Sequence, residues 1–141
     1  MSDVHDKTIR SYNMSRIRSK DTKPEILVRK YLFSRGLRYR LNSSSLPGKP
    51  DLVFHKYKTV IFVNGCFWHG HQECKYFKLP QTRQEWWKNK IYKTIERDKK
   101  NLAKLKNDGW KVLVVWECQL KKDIRSETLT SLYDSLTEIK P

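Results

Sequence analysis

The stretch Cys66-Phe67-Trp68-His69-Gly70-His71-Gln72-Glu73-Cys74 holds two thiols and two imidazoles, and a third thiol stands far along the chain at Cys118. Thiolates and imidazoles are the usual ligands of tetrahedral zinc, and four of them make a closed, structural site. An odd number of cysteines argues against a disulfide framework. Asp51 follows the turn-rich Leu46-Pro47-Gly48-Lys49-Pro50. A carboxylate of this kind is either a turn former or the holder of a divalent cation, which offsets charge developing on a phosphate ester and positions water. His69 is the residue type that takes a proton from water near neutral pH. Phe67 and Trp68 lie in a loop between Gly65 and Gly70, where a core has no clear claim on both. Such rings cap a sheet end and shield a metal, or they insert between base pairs, where apolar wedges unstack and kink a duplex.

The chain around these residues has 141 residues, 30 Lys and Arg against 15 Asp and Glu, a formal charge of +15 and a pI near 9.9. Its length suits one domain. Hydrophobic residues are only 38%, offset by 5 Phe, 7 Tyr and 5 Trp that can each bury a large area. Residues 1–49 carry 12 basic and 4 acidic side chains, 50–120 carry 14 and 7, and 121–141 carry 4 and 4. The excess therefore sits in the first 120 residues, and the C-terminal stretch is the least suited to face a phosphate backbone. A local cluster such as Arg97-Asp98-Lys99-Lys100 reads as a solvated helix face, but the summed excess points to a polyanion. No apolar run approaches the roughly 18–20 residues of a membrane span. The N-terminus has no apolar segment of a secretory signal. The expectation is a cytosolic protein, not membrane-bound, that touches nucleic acid.

Local pattern supplies the elements that must position the chemistry. Residues 1–20 are polar with isolated Ile9, Tyr12, Met14 and Ile17, an N-terminal arm. Thr22-Lys23-Pro24-Glu25 reads as a capping box opening a helix that Gly36 stops. Leu37 to Leu41 alternates as a half-exposed strand. Asp51 starts a second strand, and Thr59–Val63 is an apolar run suited to burial on both faces. Thr82-Arg83-Gln84-Glu85 reads as another capping box, opening a long helix with Trp87, Ile91, Ile95, Leu102 and Leu105 on one face and an end near Asp108-Gly109. Val112–Trp116 is a second buried strand, and Leu129, Leu132, Tyr133 and Leu136 mark a last helix.

The order is helix, three strands, long helix, strand, helix, an α/β chain. Val60 to Trp116 forms a βαβ unit, whose strands should run parallel with a right-handed crossover. Cys66 and Cys118 each lie just past one of these strands. Side by side, the strands bring Cys118 to the loop, giving a structural zinc site of Cys66, His71, Cys74 and Cys118; the alternative is three ordinary buried thiols. His71 is preferred to His69 as the fourth ligand because it stands nearer Cys74 and leaves His69 free. Hairpin pairing brings Asp51 near residues 63–69 and so near His69, a carboxylate and a base converging in a basic protein. Met14 is either a core gap-filler or an apolar contact from the arm to the other side of the DNA.

Together D-V-H-D-K and R-S-x-N-M near the start, S-L-P-G-K-P-D around Asp51, V-I-F-x-x-G-C-F-W-H around Cys66 and V-L-V-V-W-E-C ending at Cys118 resemble the very short patch repair (Vsr) endonuclease family over residues 2–120. The resemblance implies a restriction-endonuclease-like core of the PD-(D/E)xK superfamily, with a DNA-contacting arm over 1–20 and one catalytic domain over 21–141. It implies a Mg²⁺-dependent nick beside the thymine of a T:G mismatch in double-stranded DNA, a lesion of deaminated 5-methylcytosine. It further implies Asp51 and the backbone carbonyl of Val63 as Mg²⁺ ligands, His69 as general base, Glu25 as a catalytic-centre residue orienting His69, and Met14, Phe67 and Trp68 as the intercalating wedge. A monomer in the bacterial cytosol, working with mismatch-repair factors, completes the expectation. The sequence departs from the pattern at three places, one of them a zinc loop slightly longer than usual, with Gln72 and Glu73 between His71 and Cys74. No acid-x-Lys follows on the second strand, as expected where His69 is the base, and position 64 is Asn64 where a histidine is expected. Two rival readings remain: a related nuclease of other specificity, and a zinc-stabilised nucleic-acid-binding module without catalysis.

Overall fold

The structure, a computed structural model, describes residues 22–138; the arm over 1–20, with Met14, lies outside them. Thr22 caps helix α1 (Lys23–Ser34), its Oγ1 accepting the Glu25 N–H at 3.4 Å, with Pro24 in the first turn. The helix ends in a Schellman motif: Gly36 adopts φ +86°, its N–H donates to Phe33 O at 3.0 Å, and the Leu37 N–H donates to Leu32 O at 3.1 Å. That motif corrects the strand expected from Leu37 to Leu41. Leu37 is taken up by the cap and buried in the core, so only Arg40–Leu41 (β1) pairs.

β2 (Leu52–Phe54) and β3 (Thr59–Asn64) form an antiparallel hairpin joined by a single 3₁₀ turn at His55–Tyr57. β4 (Lys111–Trp116) lies beside β3 and parallel to it, from Thr59↔Lys111 to Asn64↔Trp116, and the sheet order is β1-β2-β3-β4. Alternation along the strands divides two layers. Leu52, Phe54, Ile61 and Val115 join α1 and helix α3 (Arg125–Thr137) through Val28, Leu32, Leu129, Leu132 and Leu136. Val53 and Val60 on the opposite face meet Leu105 of helix α2 (Gln84–Asn107), with Phe62 and Val112 alongside.

Two further expectations are corrected. β4 is an edge strand, so only Val115 of its six residues is fully buried. Thr82 does not cap α2: the N-cap is Arg83, at φ 57° and ψ 40°, with no side-chain cap bond. Aromatic packing sets this entry instead, since Arg83 lies over the Trp86 ring at 4.9 Å and its carbonyl accepts the Trp87 N–H at 3.1 Å. β3 is buried over Thr59–Ile61 but opens to half-burial over Phe62–Asn64, toward the end where the chemistry-bearing loop begins.

That loop is pressed onto α2 at Gly70. Its φ is +59°, and a Cβ there would stand 2.7 Å from both Ile91 Cγ2 and Ile95 Cδ1. Gly70→Ala should therefore cost about 2 kcal/mol through strain and overpacking. Urea unfolding checks this, and a change under roughly 0.5 kcal/mol would show that the loop is free to shift.

Candidate active site and metal centre

Asp51 is held from two sides. Its backbone carbonyl accepts the Asn42 N–H at 3.1 Å, and its side-chain Oδ2 accepts the Val63 N–H of β3 at 2.7 Å. Burial pushes the Asp51 carboxyl up to about 7; the Val63 N–H works against this, the neighbouring Glu25 carboxyl adds to it, and His69 is close enough to pull it back. Glu25 is itself only 2% exposed. Its Oε2 accepts from Arg29 Nη2 at 3.0 Å, one turn further along α1. Two adjoining carboxyls, one buried and one half-buried, are unfavourable when both are ionised, and a proton or a divalent cation relieves them.

His69 Nδ1 lies 2.7 Å from Asp98 Oδ2 on α2. With Asp98 ionised, this contact places the ring proton on Nδ1 and leaves Nε2 as the basic nitrogen, the arrangement of a general base held by a carboxylate. Asp98 was not singled out from the sequence, where it reads as part of a solvated face. The signal was its spacing, three after Ile95 and four before Leu102, which puts an acid on the apolar stripe of α2. Glu25, expected to orient His69, stands against Asp51 and Arg29, and His69 Nδ1 hydrogen-bonds to Asp98 Oδ2, which accepts.

Cys66, His71, Cys74 and Cys118 offer four ligand atoms that all lie within 4.8 Å of one another. A tetrahedral zinc with bonds of about 2.1–2.3 Å needs donors roughly 3.6–3.8 Å apart, so this set fits with small adjustments. Cys118 Sγ is 3.5 Å from His71 Nδ1, which marks Nδ1 as the donor, and the Cys118 N–H points at Cys66 Sγ at 3.4 Å. The His71 ring stacks flat on Trp116, centroids 4.0 Å apart and 4° from parallel. Burial pushes the Cys66 thiol up to about 12, with the Cys118 N–H opposing, so a bound cation is what would favour its thiolate.

Phe67 and Trp68 are half-buried at the mouth of this loop. Both rest on Trp87, at 5.3 and 5.9 Å between centroids, and on each other at 5.2 Å. Trp86 packs edge-on against Trp87 at 4.8 Å and is 45% exposed. The sequence gave α2 a claim on Trp87 as a core residue, but not on its neighbour Trp86, which the structure adds to the same aromatic group.

The family model described as DNA mismatch endonuclease Vsr matches residues 2–75. The chain is 50% identical over 133 residues to the type II nicking enzyme V.NmeAIP of Neisseria meningitidis serogroup A, covering 94% of both chains. It is 47% identical over 132 residues to the DNA mismatch endonuclease Vsr of Escherichia coli K12, covering 92% of this chain and 84% of that one. The type II nicking enzyme V.XorIIP of Xanthomonas oryzae is 48% identical over 111 residues.

The electrostatics of Asp51 carry a signed consequence. Its carboxyl sits near 7 when folded, above the ordinary value of about 4, so its contribution to stability is present below about pH 4 and lost as pH rises through 7. Asp51→Asn keeps an acceptor for the Val63 N–H and removes the charge beside Glu25. Without added divalent cation, the variant should be more stable than the wild type by about 2 kcal/mol at pH 8, with the gap clearly smaller at pH 5 and closing toward pH 4. Urea unfolding at the two pH values reads this directly; a variant less stable at pH 8 contradicts it.

Proposed function

The chain belongs to the Vsr family of DNA mismatch endonucleases, and we propose that it nicks one strand of duplex DNA beside the thymine of a T:G mismatch. It is a DNA endonuclease with the restriction-endonuclease-like fold of that family. The observation that carries the proposed mechanism is the His69–Asp98 contact of 2.7 Å next to half-buried Asp51.

His69 Nε2 accepts a proton from the attacking water, and Asp98 holds the ring and stabilises the imidazolium that forms. Asp51, with the backbone carbonyl of Val63, would hold Mg²⁺, whose charge offsets that developing on the scissile phosphate. The Val63 N–H fixes the carboxylate that does so. Glu25 acts on Asp51 as its carboxyl neighbour, anchored by Arg29. Cys66, His71, Cys74 and Cys118 would hold a structural Zn²⁺ that ties the loop to the end of β4. Phe67 and Trp68, braced by Trp87 and joined by exposed Trp86, form the wedge, and Met14, outside the described residues, would add an apolar contact from the other side of the DNA. A mismatched step resists unstacking least, so a wedge also selects. A monomer working in the bacterial cytosol alongside mismatch-repair factors fits this role, and no described helix is long and apolar enough to cross a membrane.

Wild-type protein with Mg²⁺ should nick a T:G duplex and leave the T:A duplex of the same sequence intact. Equal cleavage of both would assign another specificity. Asp51→Ala should bind the T:G duplex without nicking it, and Asp98→Asn should lower the single-turnover rate on the order of 10²–10⁴-fold. Metal analysis of the purified chain should find about one zinc, lost in Cys118→Ser; a stoichiometry near zero in folded, active protein removes zinc from the reading.

A further inference from the structure

Helix α2 sorts its charges by face. It carries eight Lys and Arg and three acids over Gln84–Asn107. Lys88 pairs with Glu85 at 3.6 Å and Lys99 with Glu96 at 3.8 Å, both on one flank, and Asp98 is engaged by His69. The other flank presents Trp86, Lys90, Lys93, Arg97, Lys100 and Lys104, all exposed. At 3.6 residues per turn these six positions fall within about 40° of one line along the helix. That line contains no acid, and among the described residues no ion pair engages its five cations. Lys90 instead lies over the Trp86 ring at 5.9 Å, and Arg97 Nη2 donates to Thr94 Oγ1 at 3.4 Å.

The stripe starts at the aromatic cluster, through Trp86, and passes the level of Asp98, which holds His69. From Lys90 to Lys104 the helix rises about 21 Å, the axial length of roughly six base pairs. A line of unpaired cations of that length, cleared of acids and joined at one end to the rings proposed to enter DNA, is complementary to one phosphate backbone. A solvated face of a helix has no reason to segregate its acids onto the far flank.

We infer that this flank of α2 is a backbone-tracking surface, gripping the phosphates of one strand of duplex DNA away from the nick, without reading bases. The inference rests on the proposed reading of the chain as an enzyme of mismatched duplex. The contact is sequence-independent, so it supplies affinity and register equally to mismatched and fully paired DNA, and the wedge supplies the discrimination.

The test compares the full-length wild type with two charge-matched triple variants, Lys93→Gln/Lys100→Gln/Lys104→Gln on the stripe and Lys88→Gln/Lys99→Gln/Lys106→Gln on the opposite flank. Circular dichroism and urea unfolding confirm that each is folded. Binding to a fluorescent T:G duplex and to the paired duplex is titrated by anisotropy over a KCl series. The stripe variant should lose about 2–3 from the slope of log K against log salt, about 0.9 per phosphate released, with both duplexes weakened by the same factor. The opposite flank should lose less than about 1. Nicking at saturating enzyme by the opposite-flank triple should stay within about twofold of wild type, since none of its lysines touches DNA or the reacting groups in this reading. Equal slope losses from the two triples, or none from the stripe, overturn the inference and reduce α2 to a source of diffuse charge. A wild type that fails to nick T:G while the stripe effect persists would retire the proposed substrate and leave the backbone contact standing.

Discussion

Six residue pairs, from Thr59↔Lys111 to Asn64↔Trp116, hold β3 parallel to β4, and a parallel pair carries both of its carboxyl ends to the same side of the sheet. Everything chemical in the molecule follows from that. Cys66 leaves β3 two residues beyond the last pair and Cys118 leaves β4 two residues beyond it, so a thiol 52 residues away reaches the cluster without any special loop. The segment between the candidate ligands Cys66 and His71 is then short and tethered, and it contains Phe67, Trp68 and His69. Antiparallel pairing of β2 with β3 brings Asp51 to the same end. The long crossover helix needed to make β3 and β4 parallel is α2, which contributes Asp98 and the aromatic support. The topology and the site are one constraint.

Within this frame the Glu25–Asp51 pair works against folding. Setting the Asp51 carboxyl beside buried Glu25 raises Asp51 toward neutrality, and among the described residues the Val63 N–H, His69 and the Arg29 guanidinium offset the cost locally. Such a pair is retained where a cation is to be bound, because the strain of two adjoining acids is relieved by binding. The surrounding excess of +15 favours a polyanion, while under the proposed function this small acidic pocket would take the cation. Segregating the two signs lets both bind at neighbouring points of one surface.

Much of this was legible in the sequence because it depends on period and spacing. The apolar run at Thr59–Val63, the Gly36 stop and the βαβ order gave the sheet, and the sheet gave the Cys66–Cys118 approach. What was hidden depends on three-dimensional competition. Leu37 looks like a strand residue but is claimed by a Schellman cap. Thr82 looks like an N-cap, yet Arg83 and Trp86 determine how the chain enters α2. Asp98 lies between Arg97 and Lys99, so charge patterning assigns it to solvent, although its helical position faces His69. Helical phase, rather than the character of its neighbours, was the informative quantity there.

The same loop joins three tasks, and their order along the chain explains why. A thiol, two rings, an imidazole proposed as the base and a second candidate metal ligand follow one another from Cys66 to His71. A loop of this size bearing a wedge would ordinarily lose rotamer and backbone freedom on binding DNA, weakening the complex. Here Gly70 is seated against Ile91 and Ile95, Trp87 supports both rings, and Trp116 stacks on His71. The ordering cost is therefore met when the protein folds rather than when it binds. Under the proposed function, a rigid connection between rings and base has a further consequence. The depth to which the rings enter the duplex fixes where His69 stands relative to the backbone, so a step that resists the wedge also holds its phosphate away from the base. Recognition and chemistry are then coupled through the few main-chain bonds between Trp68 and His69, with no moving part between them.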